Sequence, residues 1–275
     1  MRNLKLTLSY DGSDFSGWQV QPHAATVQGT LATAIGRVTG KKVLPQGSGR
    51  TDAGVHALAQ VVTFVTESSV PTANFVKALN DILPASVRVL EVTEAAADFH
   101  ARQSARAKTY RYRIHRAPIC PPFLARYVWH FPFPLNEAAM AGAAGLVEGE
   151  HDFTSFAAVD PERVIGESVD HEGHPSASLR ASSVSPRERA GGPNSGNVRQ
   201  IFSSRWERQS DELVYTVRGS GFLHHMVRNL VGTFILVGKG TLRVEDLTRI
   251  LEARNRSAAG ATAPPSGLYL VNVEY

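Results

Sequence analysis

The apolar residues of this chain switch between a spacing of two and a spacing near 3.6, and the order of those switches leaves few folds open. Leu4, Leu6 and Leu8 alternate as in a half-buried strand. Val27, Leu31, Ile35 and Val38 then recur at helical spacing, with Thr26 placed as an N-cap and Gly40 as a stop. Val43-Leu44 and Gln60 to Val65 read as two strands, Phe75, Leu79 and Ile82 as a helix ended by Pro84, and Val87 to Val92 as a further strand. This β-α-β-β-α-β order is the ferredoxin-like arrangement, an antiparallel sheet carrying its helices on one face.

The order returns loosely in the second half of the chain. It runs through a strand at Thr109 to His115, a helix at Leu135 to Val147, and strands at Val198 to Glu207 and Glu212 to Val217. Helices at Phe222 to Val237 and Val244 to Ala253 and a strand at Leu268 to Val273 complete it. The expected class is therefore α+β: two ferredoxin-like halves, residues 1–97 and 98–275, forming a mixed, mostly antiparallel sheet with helices on one face and an active-site cleft between the halves. Between Ala158 and Asn197 the composition shifts to Pro, Gly, Ser and mixed charge, which predicts a long loop at about 158–197.

One connection in the first half is longer than a chain reversal requires. Gly47-Ser48-Gly49-Arg50-Thr51-Asp52-Ala53-Gly54-Val55-His56-Ala57 joins two strand-like runs, whereas a tight turn needs only one or two residues tolerant of positive φ. On spacing alone, Thr-Asp-Ala-Gly suits an Asx-turn or an N-cap whose carboxylate serves backbone N–H groups. That is the stronger reading of the spacing; the other is a carboxylate held at a chosen place for chemistry.

Several function classes are excluded or disfavoured. The single Cys120 excludes an internal disulfide and a multi-cysteine zinc site, and points to a reducing compartment, hence the cytoplasm. The apolar run Leu230 to Gly238 is too short to cross a bilayer, so no membrane role is expected. His224 and His225 are adjacent and would diverge on a helix, and His171-Glu172-Gly173-His174 is one residue short of a zinc-protease motif, so no metal is expected. Gly-x-Ser-x-Gly, P-loop and Gly-x-Gly-x-x-Gly strings are absent. The net charge of +4 says little, but its distribution says more. No Asp or Glu occurs from Phe99 to Asn136, while Arg102, Arg106, Lys108, Arg111, Arg113, Arg116 and Arg126 do, which reads either as a phosphate-facing stripe or as a cation-guarded strand edge.

Gly-Arg-Thr-Asp-Ala-Gly-Val-His-Ala followed by Gln60-Val61-Val62 resembles the signature of the tRNA pseudouridine synthase A family. Other segments agree in order: Tyr10-Asp11-Gly12 with Phe15, Gly17, Trp18 and Gln19; Asp98-Phe99-His100-Ala101-Arg102; Tyr110-Arg111-Tyr112; His151-Asp152-Phe153-Thr154-Ser155-Phe156; His224-His225-Met226-Val227-Arg228-Asn229; and Ala263-Pro264 with Gly267-Leu268-Tyr269-Leu270. The clearest departure is the Ala158 to Asn197 connection, which is usually shorter in the family.

The resemblance implies conversion of uridine to pseudouridine in the anticodon arm of tRNA, at positions 38, 39 and 40, by a homodimer with no cofactor and no metal. Residue by residue, it implies Asp52 as the catalytic carboxylate and Arg228 as its pairing cation. It makes Arg50 the residue that displaces the target base and contacts its phosphate, Tyr110 the ring stacked on the uracil, and Leu268 the other wall of the base pocket. The need for a cation is physical. Desolvating a carboxylate costs several kcal/mol, and a cation about 4 Å away returns about 4 kcal/mol at an effective dielectric of 20. The competing reading is a non-catalytic RNA-binding protein, which tandem ferredoxin-like halves and a basic stripe would also serve, although an RNP1-type string is missing.

Overall fold

The computed structural model describes residues 1–158 and 196–275, so the loop expected at about 158–197 lies almost wholly outside the described residues. The first half contains β1 (Arg2–Tyr10), α1 (Val27–Thr39), β2 (Gln46–Gly47), β3 (His56–Thr66), α2 (Thr72–Ile82) and β4 (Val87–Ala95). The rest contains β5 (Ala107–His115), β6 (Trp129–His130), α3 (Glu137–Gly145), β7 (Gly149–Asp152), β8 (Val198–Gln209), β9 (Glu212–Gly219), α4 (Met226–Gly238), α5 (Asp246–Ala253) and β10 (Leu268–Glu274).

One mixed sheet runs β4-β1-β3-β10-β5-β9-β8-β7, with β2 added on β3 and β6 on β5. Each half follows the ferredoxin-like pairing, last strand on first, first on third and third on second, all antiparallel. The halves meet where β10 runs parallel to β3, through Tyr269 beside His56 and Leu270 beside Ala57. This seam exists because β2 is only two residues long and pairs with Val62 and Thr63, leaving the start of β3 open to β10. The residues at the seam are those that leave the Asp52 loop.

Local signals account for most boundaries. Thr26 accepts a hydrogen bond from the Gly29 N–H, and Gly40 closes α1 at φ 71°, a left-handed conformation that glycine adopts without a Cβ penalty. Leu4, Leu6 and Leu8 are fully buried with Leu31 and Ile35 of α1 and Phe75 and Leu79 of α2. Each such side chain contributes about 1.5–3 kcal/mol by leaving water. On the opposite face, Asn3 donates to the carbonyls of Ala96 (2.9 Å) and Phe99 (2.8 Å), and the Ala101 N–H donates to Thr63 Oγ1 (3.3 Å). The 96–101 segment is thereby strapped over β1 and β3.

Several boundaries differ from expectation; the strand expected from Gln60, for one, already begins at His56. The strand expected at Val43-Leu44 forms instead at Gln46–Gly47, because Val43 packs against the core from a loop and Leu44 is exposed. The short β6 and β7 carry too few residues for a periodic signal. The helix expected from Phe222 begins only at Met226. The apolar Phe222 and Leu223 extend the helical pattern upstream of its true start, a displacement that reshapes the site. Among the described residues, no helix is long and apolar enough to cross a membrane.

Candidate active site

The Asp52 loop is held by backbone stacked on backbone. Trp18 N–H donates to Thr51 O (2.9 Å) and Gly54 N–H to Phe15 O (3.3 Å), while Val55 N–H closes a turn on Asp52 O (3.1 Å). Such close approach demands glycine: a Cβ at Gly12 would lie 1.9 Å from Val55 O, and one at Gly17 would lie 2.8 Å from Thr51 O. Below the loop, the buried Gln60 accepts from Ser48 Oγ (2.6 Å) and donates to Gly49 O (2.9 Å), and Tyr10 hydroxyl bonds Thr51 Oγ1 (2.9 Å). Trp18 is buried with its ring against Gly47, so it anchors the loop.

The Asp52 side chain turns away from its own turn. Among the described residues no loop N–H donates to it; its Oδ2 accepts instead from Arg228 Nη1 at 2.8 Å. Arg228 is fixed on the first turn of α4, where its Nε also donates to Ala263 O (2.8 Å). The pair is mostly withdrawn from solvent, with side-chain exposures of 12% for Arg228 and 19% for Asp52, so its attraction is screened far less than that of a surface pair.

Two imidazoles complete the setting. His224 Nε2 lies 3.5 Å from Asp52 Oδ1 and His225 Nε2 lies 3.3 Å from Oδ2, with the two rings 4.0 Å apart. The expectation that they diverge on a helix is wrong, because both precede α4 and His225 takes a left-handed backbone at φ 58°. Burial pushes the His225 imidazole below its ordinary range, ahead of the opposing pull of Asp52, so it stands neutral at pH 7 and leaves charge compensation to Arg228. The sequence signal for this turn was the Ser220-Gly221 pair ahead of α4. Asp52, His224 and His225 also offer three ligand atoms within 4.8 Å, a set with metal-binding chemistry, but the Arg228 guanidinium already occupies the carboxylate.

Asp52, His224 and His225 line a cleft of about 650 Å³, in the size range of small-ligand sites. Arg50, Tyr110 and Leu268 line it as well, so four of the five expected site residues line one cavity, and the fifth, Arg228, reaches it through its bond to Asp52. Tyr110 is buried on β5 edge-on to Phe222 (4.9 Å), and Leu268 is buried at the start of β10. Burial, ahead of the Tyr10 and Asp52 charges, pushes the Tyr110 phenol far above its ordinary value. Its hydroxyl is therefore a proton donor at neutral pH, not a resident base.

The basic stripe divides. Arg102 and Lys108 line the cleft, but strand alternation sends Arg111 and Arg113 to the other side of β5, where Arg113 pairs with Glu212 (2.6 Å). Arg126 pairs with Asp14 (2.5 Å) and Arg116 reaches Phe131 O, so neither acts at the cleft.

Behind Arg228, α4 crosses the 259–263 segment at glycines. A Cβ at Gly232 would lie 1.7 Å from Ala261 O, and one at Gly260 would lie 2.8 Å from Gly232 C. The fully buried Asn229 closes this junction, donating to Phe156 O (2.7 Å) and accepting from Thr262 Oγ1 (2.7 Å) and Arg256 Nη2 (3.0 Å). Gly232→Ala is expected to cost about 3 kcal/mol in urea unfolding, because the clash is with backbone that has nowhere to go. Wild-type stability in that variant would show that the crossing is loose.

The family described as tRNA pseudouridine synthase matches residues 7–103 and 186–275. Among curated relatives, tRNA pseudouridine synthase A of Solibacter usitatus is 48% identical over 275 residues, covering all of both chains. Those of Moorella thermoacetica (42% over 274 residues, 99% of each chain) and Brevibacillus brevis (41% over 275 residues, all of both chains) are similar along the same length.

Proposed function

Because this chain belongs to the tRNA pseudouridine synthase family, an isomerase family acting on tRNA uridine, we propose that Asp52 is its catalytic nucleophile and that its targets are the uridines at positions 38, 39 and 40 of the anticodon arm. The observation that carries the first part is the 2.8 Å Asp52–Arg228 pair in the cleft. A surface that only bound RNA would gain nothing from an anion where phosphates approach, whereas a nucleophile must be ionised and desolvated at once.

The reaction breaks the N1–C1′ bond, turns the uracil, joins C5 to C1′, and moves one proton from C5 to the solvent pool as N1 regains one. Asp52 supplies the attacking oxygen, at C6 of the ring or at C1′. The base must leave its stack to reach it, and Arg50 at the cleft rim is the residue placed to displace it and hold its phosphate. Tyr110 and Leu268 wall the cavity on the base and retain the detached uracil, so recombination at C5 outruns escape. None of these steps calls on redox chemistry. A homodimer, in which one tRNA touches both subunits, follows from family analogy and is checked by sedimentation with and without tRNA.

The deciding experiment incubates the protein with a pool of unmodified tRNAs and maps pseudouridine by position. Modification confined to 38, 39 and 40 is expected; tRNA bound but left unmodified would return the non-catalytic reading. Leu268→Ala opens the base pocket and removes a buried side chain at the sheet seam. It is expected to lower stability by about 2–5 kcal/mol and to raise KM for tRNA, measured by urea unfolding and steady-state kinetics.

A further inference from the structure

Lys108 and Tyr110 stand two apart on β5, so both face the same cleft. The Lys108 ammonium donates to Ser48 O at 2.6 Å, at the root of the Asp52 loop, and passes so close to Gly49 that a Cβ there would lie 3.0 Å away. Among the described residues no carboxylate pairs with it. Its charged neighbours, Arg102 at the cleft rim and Arg199 of β8, are both cations. An ammonium has three donors, and a single carbonyl satisfies one of them. Holding an unpaired cation half out of water beside two guanidiniums is costly, and an anion entering the cleft would offset that cost.

We propose that Lys108, with Arg102, forms a binding site for a phosphodiester of the RNA strand flanking the extruded uridine. This rests on the tRNA-modifying reading above. The ammonium keeps its bond to Ser48 O and gives its remaining donors to the phosphate, so strand binding and the position of the Asp52 loop are fixed by one side chain. Arg102, exposed at the rim, meets the same strand farther out.

Burial, ahead of Arg102 and Arg199, lowers the Lys108 ammonium to about 8, which gives the site a pH signature. As pH rises through that value the free enzyme loses the charge that the phosphate needs, and affinity falls. The groups facing it are Arg50, Arg102, Arg199, Asp52, Tyr110, Tyr275 and His225; burial pushes the Tyr110 and Tyr275 phenols up and the His225 imidazole down, so none of these three mimics the loss of a positive charge near that value.

The test measures tRNA affinity against salt and pH for the full-length protein and for Lys108→Met and Lys108→Arg. Lys108→Met is expected to bind roughly tenfold more weakly and to flatten the slope of log affinity against log salt by about 0.7–0.9, one phosphate contact. Lys108→Arg should keep the slope and lose the fall in affinity that the wild type shows between about pH 7 and pH 9. An unchanged slope in Lys108→Met, or a parallel pH fall in Lys108→Arg, overturns the proposal. Should Lys108→Met fail to fold, the Lys108→Arg pH profile decides alone. Pseudouridine scored in the same wild-type samples reports separately on the catalytic reading, since a protein could hold the phosphate and never isomerise the base.

Discussion

Asp52→Asn is expected to abolish pseudouridine formation, with a fall in kcat of at least about 10⁴-fold, while tRNA affinity changes by no more than about threefold. The amide fills the same volume and still meets Arg228, whose second bond to Ala263 O is untouched, so the loop and α4 should keep their places. Among the described residues, what disappears is the one carboxylate lining the cleft, and if it is the nucleophile its loss costs orders of magnitude. Affinity survives because phosphate contacts dominate RNA binding, and removing an anion from the cleft does not weaken them. Single-turnover assays with filter binding separate the two effects. Turnover within tenfold of wild type would end the assignment of Asp52.

Arg228→Ala is the second large effect. It removes both the guanidinium 2.8 Å from Asp52 Oδ2 and the bond to Ala263 O, leaving a mostly buried carboxylate facing two imidazoles. Breaking such a pair from one side costs about 3–5 kcal/mol, because the orphaned charge loses its partner without regaining water. The neutral His225 cannot restore the compensation. We expect kcat to fall about 10²- to 10³-fold with KM little changed, since Arg228 bonds the proposed nucleophile. Arg228→Lys should recover part of the rate, but a point charge cannot serve Asp52 and Ala263 O at once. In urea unfolding, adding Asp52→Asn to Arg228→Ala should return stability relative to Arg228→Ala alone, the signature of a coupled pair. Additive losses would show that the two residues act independently.

Both experiments turn on an interaction between residues 176 positions apart in the chain, which separates what could be read locally from what could not. Thr26 and Gly40 bound α1 as expected because a cap and a left-handed stop are decided within one helical turn. Leu4, Leu6 and Leu8 identified β1 and its buried face for a similar reason, since alternation follows from strand geometry alone. The element order then restricted each half to one pairing scheme, and the sheet follows it. Within the site, recognising Asp52 and Arg228 took a chain-long resemblance, because a loop Asp and a helix Arg are each ordinary by themselves.

Local pattern misled where apolar residues served a purpose other than periodicity. Phe222 extended the helical spacing but stands before α4 as an edge-on partner of Tyr110, and the displaced helix start turned two dismissed histidines toward the carboxylate. The run of basic residues likewise looked like one stripe until strand alternation and the acids Glu212 and Asp14, distant in sequence, divided it.

The amino-acid sequence alone thus determined most of the secondary elements, their order, and through order the antiparallel pairing within each half, because steric and hydrogen-bonding preferences act over a few residues. Tertiary structure alone decided which charges meet. A carboxylate, a guanidinium, two imidazoles and an ammonium come together only when β10 joins β3 and α4 packs across Gly260, and electrostatic energy depends on distance in space and on exclusion of water, neither of which is written in chain position.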